Sequence, residues 1–284
     1  MGRNAAPDAV WVNGVPGAAL SPLDRGLHYG DGLFETIACV GGKPRFLSLH
    51  LERLTRGAKR LGLPLPGTVE LQREILTLAK QVDRAVIKVL LTRGSAPERG
   101  YGLTGREKST RITLRYPWEA EDPRLAAEGV RIRTAALRLA ENPPLAGIKH
   151  LNRLEQVLAR REWSDPQIAE ALLFSASGKL VSGVMSNVFL VEGRKLRTPL
   201  LDRCGVAGIM RAVVMREAAR AGIQTEEAML GSDDLARAQE LFLTSALIGL
   251  RPVSHLDGRA CIPGAVTREL QQRLTPLLGR GHDD

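Results

Sequence analysis

A chain of 284 residues, 44% hydrophobic and 25% charged, exceeds the roughly 100–200 residues of one ordinary domain and is apolar enough to build a core, which excludes disorder as a whole-chain class. No apolar run approaches the roughly 20 residues that cross a bilayer, and MGRNAAPDAV has no secretory h-region, so neither a membrane protein nor an exported one is expected. The net charge of +9 suits either a polyanion binder or an enzyme with acidic ligands; scattered Lys and Arg with only 4% aromatics favour the enzyme, with no nucleic-acid partner and most of the excess solvated.

In chain order, Val10–Asn13 reads as a short strand entering a turn at Gly14. Phe46–Leu61 carries Leu47, Leu51, Leu54, Ala58 and Leu61 at helical spacing and stops at Gly62 and Pro64. Leu71, Ile75, Leu78 and Val82 mark a second helix, with Thr68 as its cap. Ala85–Thr92 and Thr110–Arg115 are β-branched strands, separated by the Gly-rich, charged loop Arg93–Gly105. Residues 117–123, bracketed by prolines, form the expected linker between domains 1–116 and 124–284.

Beyond it, Val130–Thr134 alternates as a strand. Ile148–Trp163 reads as a helix with Ile148, Leu151, Leu154, Val157 and Leu158 on one face. Short strands follow at Glu170–Phe174, Lys179–Ser182, Asn187–Val191 and Lys195–Thr198. Gly208–Ala221 and Ser232–Ala238 are helical, Glu240–Thr244 is a strand, and Pro263–Leu274 is the last helix. Helices and strands are mixed without regular alternation, so the class is α+β in two domains.

Common catalytic signatures are missing. The histidines show no metal-ligand spacing, and there is no GxSxG elbow or P-loop, so no metal is expected. Cys39, Cys204 and Cys261 are too few and too far apart for a disulfide framework, which suits reduced thiols in the cytoplasm. Lys149 is more informative. It stands at the start of the expected helix, where the dipole disfavours a cation, and positive potential lowers a lysine's pKa as a Schiff-base nucleophile requires. Most lysines are simply solvated, and the residues alone leave both readings open.

Several segments in register carry a resemblance: Ser21-Pro-Leu-Asp-Arg-Gly-Leu-His-Tyr-Gly-Asp-Gly-Leu-Phe-Glu-Thr-Ile, Leu49-His-Leu-Glu-Arg-Leu, Gly147-Ile-Lys-His-Leu-Asn-Arg-Leu-Glu-Gln-Val, Ser186-Asn-Val-Phe, Gly208-Ile-Met-Arg and Leu243-Thr-Ser-Ala-Leu. The chain resembles the fold-type IV enzymes of pyridoxal 5'-phosphate. It is most similar to their lyase branch, which takes 4-amino-4-deoxychorismate to 4-aminobenzoate and pyruvate for folate synthesis. The resemblance implies a two-domain α+β homodimer with the cofactor between the domains and the Schiff-base lysine, Lys149, on the larger carboxy-terminal one.

It further implies that Arg53 pairs with the cofactor phosphate, as a guanidinium fork suits. The main-chain amides at Gly208, Ile209 and Met210 would reach that phosphate at a helix start, with Ala246 and Leu247 on a second phosphate loop. Asn187 and Ser182 would border the cofactor. Toward the substrate stand Tyr29, Phe34, Arg99 and Tyr101, with Thr36 as a proton donor to the leaving group. Arg99-Gly-Tyr101 and Phe34 replace the Arg-x-His and Tyr of the D-amino-acid aminotransferases, which favours the lyase. A same-fold aminotransferase of branched-chain or D-amino acids and a non-catalytic basic binder are the rivals.

The departure is Val181-Ser182-Gly183, where relatives place a glutamate against the pyridine nitrogen. A hydroxyl donating to a neutral ring makes a weaker electron sink, which should disfavour transamination while leaving an aromatising elimination its own driving force.

Overall fold

The computed structural model describes residues 6–65, 67–80, 82–96 and 98–279; residues 1–5 and 280–284 of the expected domains lie outside the described residues. Cα packing separates two compact units. Among the described residues, one gathers those of 6–119 with 148–152 and 279, and the other gathers 120–147 with 153–278.

The amino-terminal unit is a six-stranded antiparallel sheet of β1 (Ala9–Val12), β2 (Val15–Pro16), β3 (Gly32–Val40), β4 (Lys43–Pro44), β5 (Arg84–Thr92) and β6 (Thr110–Pro117), in the order β2-β1-β6-β5-β3-β4. With it go α1 (Arg25–Tyr29), α2 (Leu47–Leu61) and α3 (Thr68–Ala79). Sequence patterning misses β3, the strand around which this unit is built. Leu33, Ile37 and Cys39 are buried on its core face, but Glu35 stands among them and breaks the apolar alternation. The amphipathic stripe of α2 buries Leu47, Leu54 and Ala58 beside β3. Gly57 lets the two pack closely, because a Cβ would come 2.9 Å from Leu33 Cδ1 and that side chain would have to shift. Thr68 opens α3 rather than capping it; Gly67 is the cap, and the helix ends at Ala79, short of Val82.

The carboxy-terminal unit holds α4 (Pro123–Glu128), β7 (Val130–Leu139), α5 (Leu154–Arg160), β8 (Ile168–Ser175), β9 (Leu180–Gly183), β10 (Asn187–Glu192) and β11 (Lys195–Pro199). It continues with α6 (Ile209–Arg220), β12 (Gln224–Ala228), α7 (Ser232–Arg237), β13 (Glu240–Ser245), β14 (Gly249–Leu256), β15 (Arg259–Ala260) and α8 (Ala265–Gly279). Its sheet runs β12-β11-β10-β13-β14-β7-β8-β9, with β15 on β14. The pairs β11–β12, β14–β7 and β7–β8 are parallel and the rest antiparallel. Val188–Val191 of β10 are wholly buried, and the Phe189 and Phe242 rings stack with centroids 5.0 Å apart. The fold is α+β, with two sheets and eight α-helices among the described residues.

The expected helix Ile148–Trp163 is corrected at its front. Only Leu154–Arg160 is helical, while 148–152 runs extended beside β3: Phe34 N–H donates to Lys149 O at 2.9 Å and Leu151 N–H to Gly32 O at 2.9 Å. These bonds group Lys149 with the amino-terminal unit, not with the larger unit expected to carry it. The helix-dipole argument for its pKa therefore lapses. Among the described residues no helix is long and apolar enough to cross a membrane, and the three cysteines are free.

Candidate active site

In the amino-terminal unit, alternation along β3 sorts the functional side chains onto two faces. Phe34 and Thr36 share one, with Lys88 of β5 directly opposite Thr36 in register. The Lys149 Nζ lies 4.2 Å from the Phe34 ring centroid and the Lys88 Nζ 5.7 Å from it, so two ammonium groups converge on one aromatic ring. Lys88 has no counterpart among the residues picked from sequence. A lysine inside a β-branched run looks like an edge or surface position, and only strand register brings it beside Thr36.

The opposite face of β3 carries Glu35, buried against α2. Arg53 Nε donates to Glu35 Oε1 at 2.8 Å and its Nη2 to Oε2, while His50 Nδ1 lies 2.6 Å from Oε2. Burial works to raise the Glu35 pKa, but the Arg53 guanidinium and His50 outweigh it and bring the carboxyl down to about 2. Burial pushes His50 below its ordinary value, with Glu35 opposing and the positive charges of Arg53 and Lys149 adding to the fall. The imidazole is therefore neutral at pH 7, with its proton on Nδ1 toward Glu35. Its buried Nε2 has no hydrogen-bond partner. Nε and Nη2 of Arg53 thus face the Glu35 carboxylate.

Tyr29 and Tyr101 lie side by side with ring centroids 5.2 Å apart, and Arg99 is exposed on the same loop as Tyr101.

In the carboxy-terminal unit Asn187 and Gly208 meet at the start of α6. Gly208 is the N-cap and supplies no side-chain cap, leaving the first amides of α6 without one. Asn187 Nδ2 donates to Val206 O at 2.9 Å, and a Cβ on Gly208 would fall 2.0 Å from Asn187 Oδ1. Asn187 lies opposite Thr244 in the β10–β13 register. The Thr244 hydroxyl is buried without a hydrogen-bond partner, a costly condition unless something polar meets it. Ala246 and Leu247 form the turn between β13 and β14, where only main-chain groups can serve as donors.

Ser182 is buried on β9, and its hydroxyl donates to Gly183 O at 2.8 Å. Below the following turn lies Glu170, which accepts from Val184 N–H and Met185 N–H at 3.1 Å each and from the Ser186 hydroxyl at 3.0 Å. Its pKa is raised by burial against these bonds. Sequence reading placed Glu170 only as the first residue of a strand; a polar residue opening an apolar run is the sole hint of its task. No group of three or more His, Cys, Asp or Glu able to hold a metal occurs among the described residues.

This constellation accompanies a family match: residues 32–256 fit the amino-transferase class IV family, and the chain belongs to that family. The crystal structure of 4-amino-4-deoxychorismate lyase from Pseudomonas aeruginosa is similar at a TM-score of 0.91 with 44% identity, covering 95% of this chain and 100% of that one. The aminodeoxychorismate lyase of Vibrio harveyi is 32% identical over 93% of this chain and 98% of its own length. A putative branched-chain-amino-acid aminotransferase of Methanocaldococcus jannaschii is also 32% identical, over 92% of this chain and 91% of its own.

Proposed function

We propose that this chain is a pyridoxal-phosphate-dependent lyase that splits 4-amino-4-deoxychorismate into 4-aminobenzoate and pyruvate, a step of folate synthesis, acting as a cytoplasmic homodimer. The observation that carries this reading is the full-length likeness to the Pseudomonas aeruginosa lyase. Membership of an enzyme family removes the ground for a non-catalytic basic binder.

Class IV enzymes depend on pyridoxal phosphate, and the residues here fit it. The uncapped amides of Gly208, Ile209 and Met210, the unpartnered Thr244 hydroxyl and the main-chain groups of Ala246 and Leu247 are a donor set for a phosphate. Gly208 lets this turn lie close against Asn187, since a Cβ there would collide with it. Arg53, oriented by Glu35, would add its charge to the phosphate, and Lys149 would hold the aldehyde carbon. When bound, the cofactor supplies a ring that draws electrons from the amine-bearing carbon of the substrate.

The protein's own groups then divide the proton work. Lys149 Nζ takes the proton from the amine-bearing carbon, and the Thr36 hydroxyl delivers one to the departing enolpyruvyl group. Phe34 packs against the Lys149 ammonium and limits its movement. Tyr29, Arg99 and Tyr101 face the substrate, and Lys88, across from Thr36, adds a cation for one of its two carboxylates. Replacing Lys88 with Met should raise KM for the substrate about tenfold, the value of one charge-assisted contact, with cofactor absorbance unchanged; steady-state kinetics check it.

Ser182 in place of a carboxylate fits a site that eliminates rather than transaminates. Ser182→Glu is expected to gain measurable amino transfer to 2-oxoglutarate while retaining pyruvate release. Loss of lyase activity with no gain in transfer would sink that account of the serine. The test of the whole reading is incubation of the purified, cofactor-loaded protein with 4-amino-4-deoxychorismate. Release of pyruvate and 4-aminobenzoate in equal amounts is the expected result. Amino transfer to 2-oxoglutarate without pyruvate would replace the lyase with an aminotransferase.

A further inference from the structure

Arg25 is buried, at 5% exposure, on the five-residue α1, and no step of the chemistry above uses it. Its guanidinium is fully engaged. Nε donates to Asp31 Oδ2 at 3.0 Å, Nη1 donates to Gly100 O at 3.1 Å and to Gly102 O at 3.4 Å, and Nη2 donates to Tyr101 O at 3.3 Å. Three successive carbonyls of the loop that carries Arg99 and Tyr101 are thus gathered on one side chain. The Cζ of the same guanidinium lies 4.9 Å from the Tyr29 ring centroid, and Tyr29 in turn meets Tyr101.

The anchor behind Arg25 is rigid. Asp31 is gripped by Arg93 through Nε at 2.7 Å and Nη2 at 3.1 Å. Arg93 also donates to Leu61 O at 2.8 Å and Gly62 O at 2.7 Å, at the carboxy-terminal end of α2. The root of the loop has its own ties, since Arg25 N–H donates to Gly94 O at 2.9 Å and Thr92 Oγ1 donates to Asp24 Oδ2 at 2.9 Å. The tip does not. Among the described residues the main chain of 98–102 makes no hydrogen bond to other main chain, its side chains are exposed, and Gly100 adopts a φ of 105°. A Gly-rich tip of this kind would sample many conformations if left alone.

We propose that Arg25 is a positioning residue: its fork holds the Gly100–Gly102 backbone so that Arg99 and Tyr101 are presented to the substrate in one geometry, and it governs substrate affinity and not cofactor binding. The requirement is for a guanidinium. A lysine ammonium keeps the charge but cannot span Asp31 and three carbonyls from one plane. This proposal rests on the substrate role assigned above to Arg99 and Tyr101.

The experiment uses the full-length, cofactor-loaded protein and its Arg25→Lys and Arg25→Met variants. Limited trypsin digestion with mass spectrometry reads cleavage after Arg99, and kinetics with 4-amino-4-deoxychorismate read KM and kcat. Both variants are expected to be cut after Arg99 about tenfold faster and to show a KM raised about tenfold, with kcat within about threefold and an unchanged cofactor absorption band. Arg25→Lys keeps a charge at the buried position, so it stays testable should Arg25→Met fail to fold. An unchanged cleavage rate after Arg99 in a folded variant overturns the bracing itself. Faster cleavage with an unchanged KM also overturns the proposal, by showing that the loop does not grip substrate; the lyase reading then stands or falls separately on pyruvate release.

Discussion

Lys149→Ala is expected to abolish pyruvate release from 4-amino-4-deoxychorismate, with a loss larger than the roughly 10²–10⁴-fold that a positioned acid or base alone supplies, because the proposed function gives the same amine the covalent work as well. The amine is well placed for both tasks. Its backbone is pinned to β3 through the Phe34 N–H, and its Nζ sits 4.2 Å from the Phe34 ring centroid, so little freedom remains to the side chain. Removing the ammonium leaves in place the pairing of 148–152 with β3, which is main chain to main chain. The variant is therefore expected to melt like the wild type. Two readings check the outcome: pyruvate release, and the cofactor label left on the protein after borohydride reduction. A Lys149→Ala protein that still turned over, and still took a reducible label at that peptide, would move the covalent role to another residue. Thr36→Val, by contrast, should stay within the acid–base range, because it removes a proton donor and leaves the covalent site intact.

The second large effect falls on stability. Glu35→Leu is expected to destabilise the protein by about 3–5 kcal/mol, the cost of breaking a buried pair by removing one partner. The Arg53 guanidinium and the His50 Nδ1–H would both lose their acceptor in a site that water scarcely reaches. Denaturant midpoints measure it. A Glu35→Leu, Arg53→Met double variant should recover part of the loss, since two apolar groups need no partner; equal instability in single and double variants would point instead to the altered shape. Cofactor affinity should fall in every variant that loses the Arg53 orientation.

The same cluster sets an acid limit. In the fold Glu35 titrates at about 2 against an ordinary value of 4.5, so its contribution is complete above about 4.5 and is lost as pH falls toward 2. His50, held by burial below its ordinary 6.5, acts in the same direction: below about 6.5 the unfolded chain binds a proton that the folded chain declines. Stability measured from pH 7 down to 3 should fall more steeply in the wild type than in Glu35→Gln.

Much of this protein was legible before any coordinates. Regular apolar spacing marked α2 and α3, and β-branched runs marked β5 and β6, because those elements bury a face by simple periodicity. Sequence motifs in register pointed to the class IV family, and that resemblance in turn pointed to Lys149, Arg53 and the Gly208 turn as candidates. What escaped has one physical cause in several places: a polar group buried for a reason that lies far away in the chain. Glu35 hid β3, because its partners are on α2. Glu170 looked incidental, because its donors come from the turn after β9. Lys149 was read onto a helix start, because apolar spacing from Ile148 onward cannot reveal that 148–152 is drawn off to pair with β3.

The net charge of +9 divides along the same line. By itself the sequence determined that cations are in excess and dispersed, and that judged nucleic acid the weaker partner. Only the tertiary structure decided where they act. Arg25, Arg45, Arg53, Arg93, Arg211 and Arg251 are buried, and nothing in their spacing along the chain singles them out from the dispersed remainder. A guanidinium can be buried when several acceptors surround its plane, and those acceptors are brought together from distant segments by folding alone.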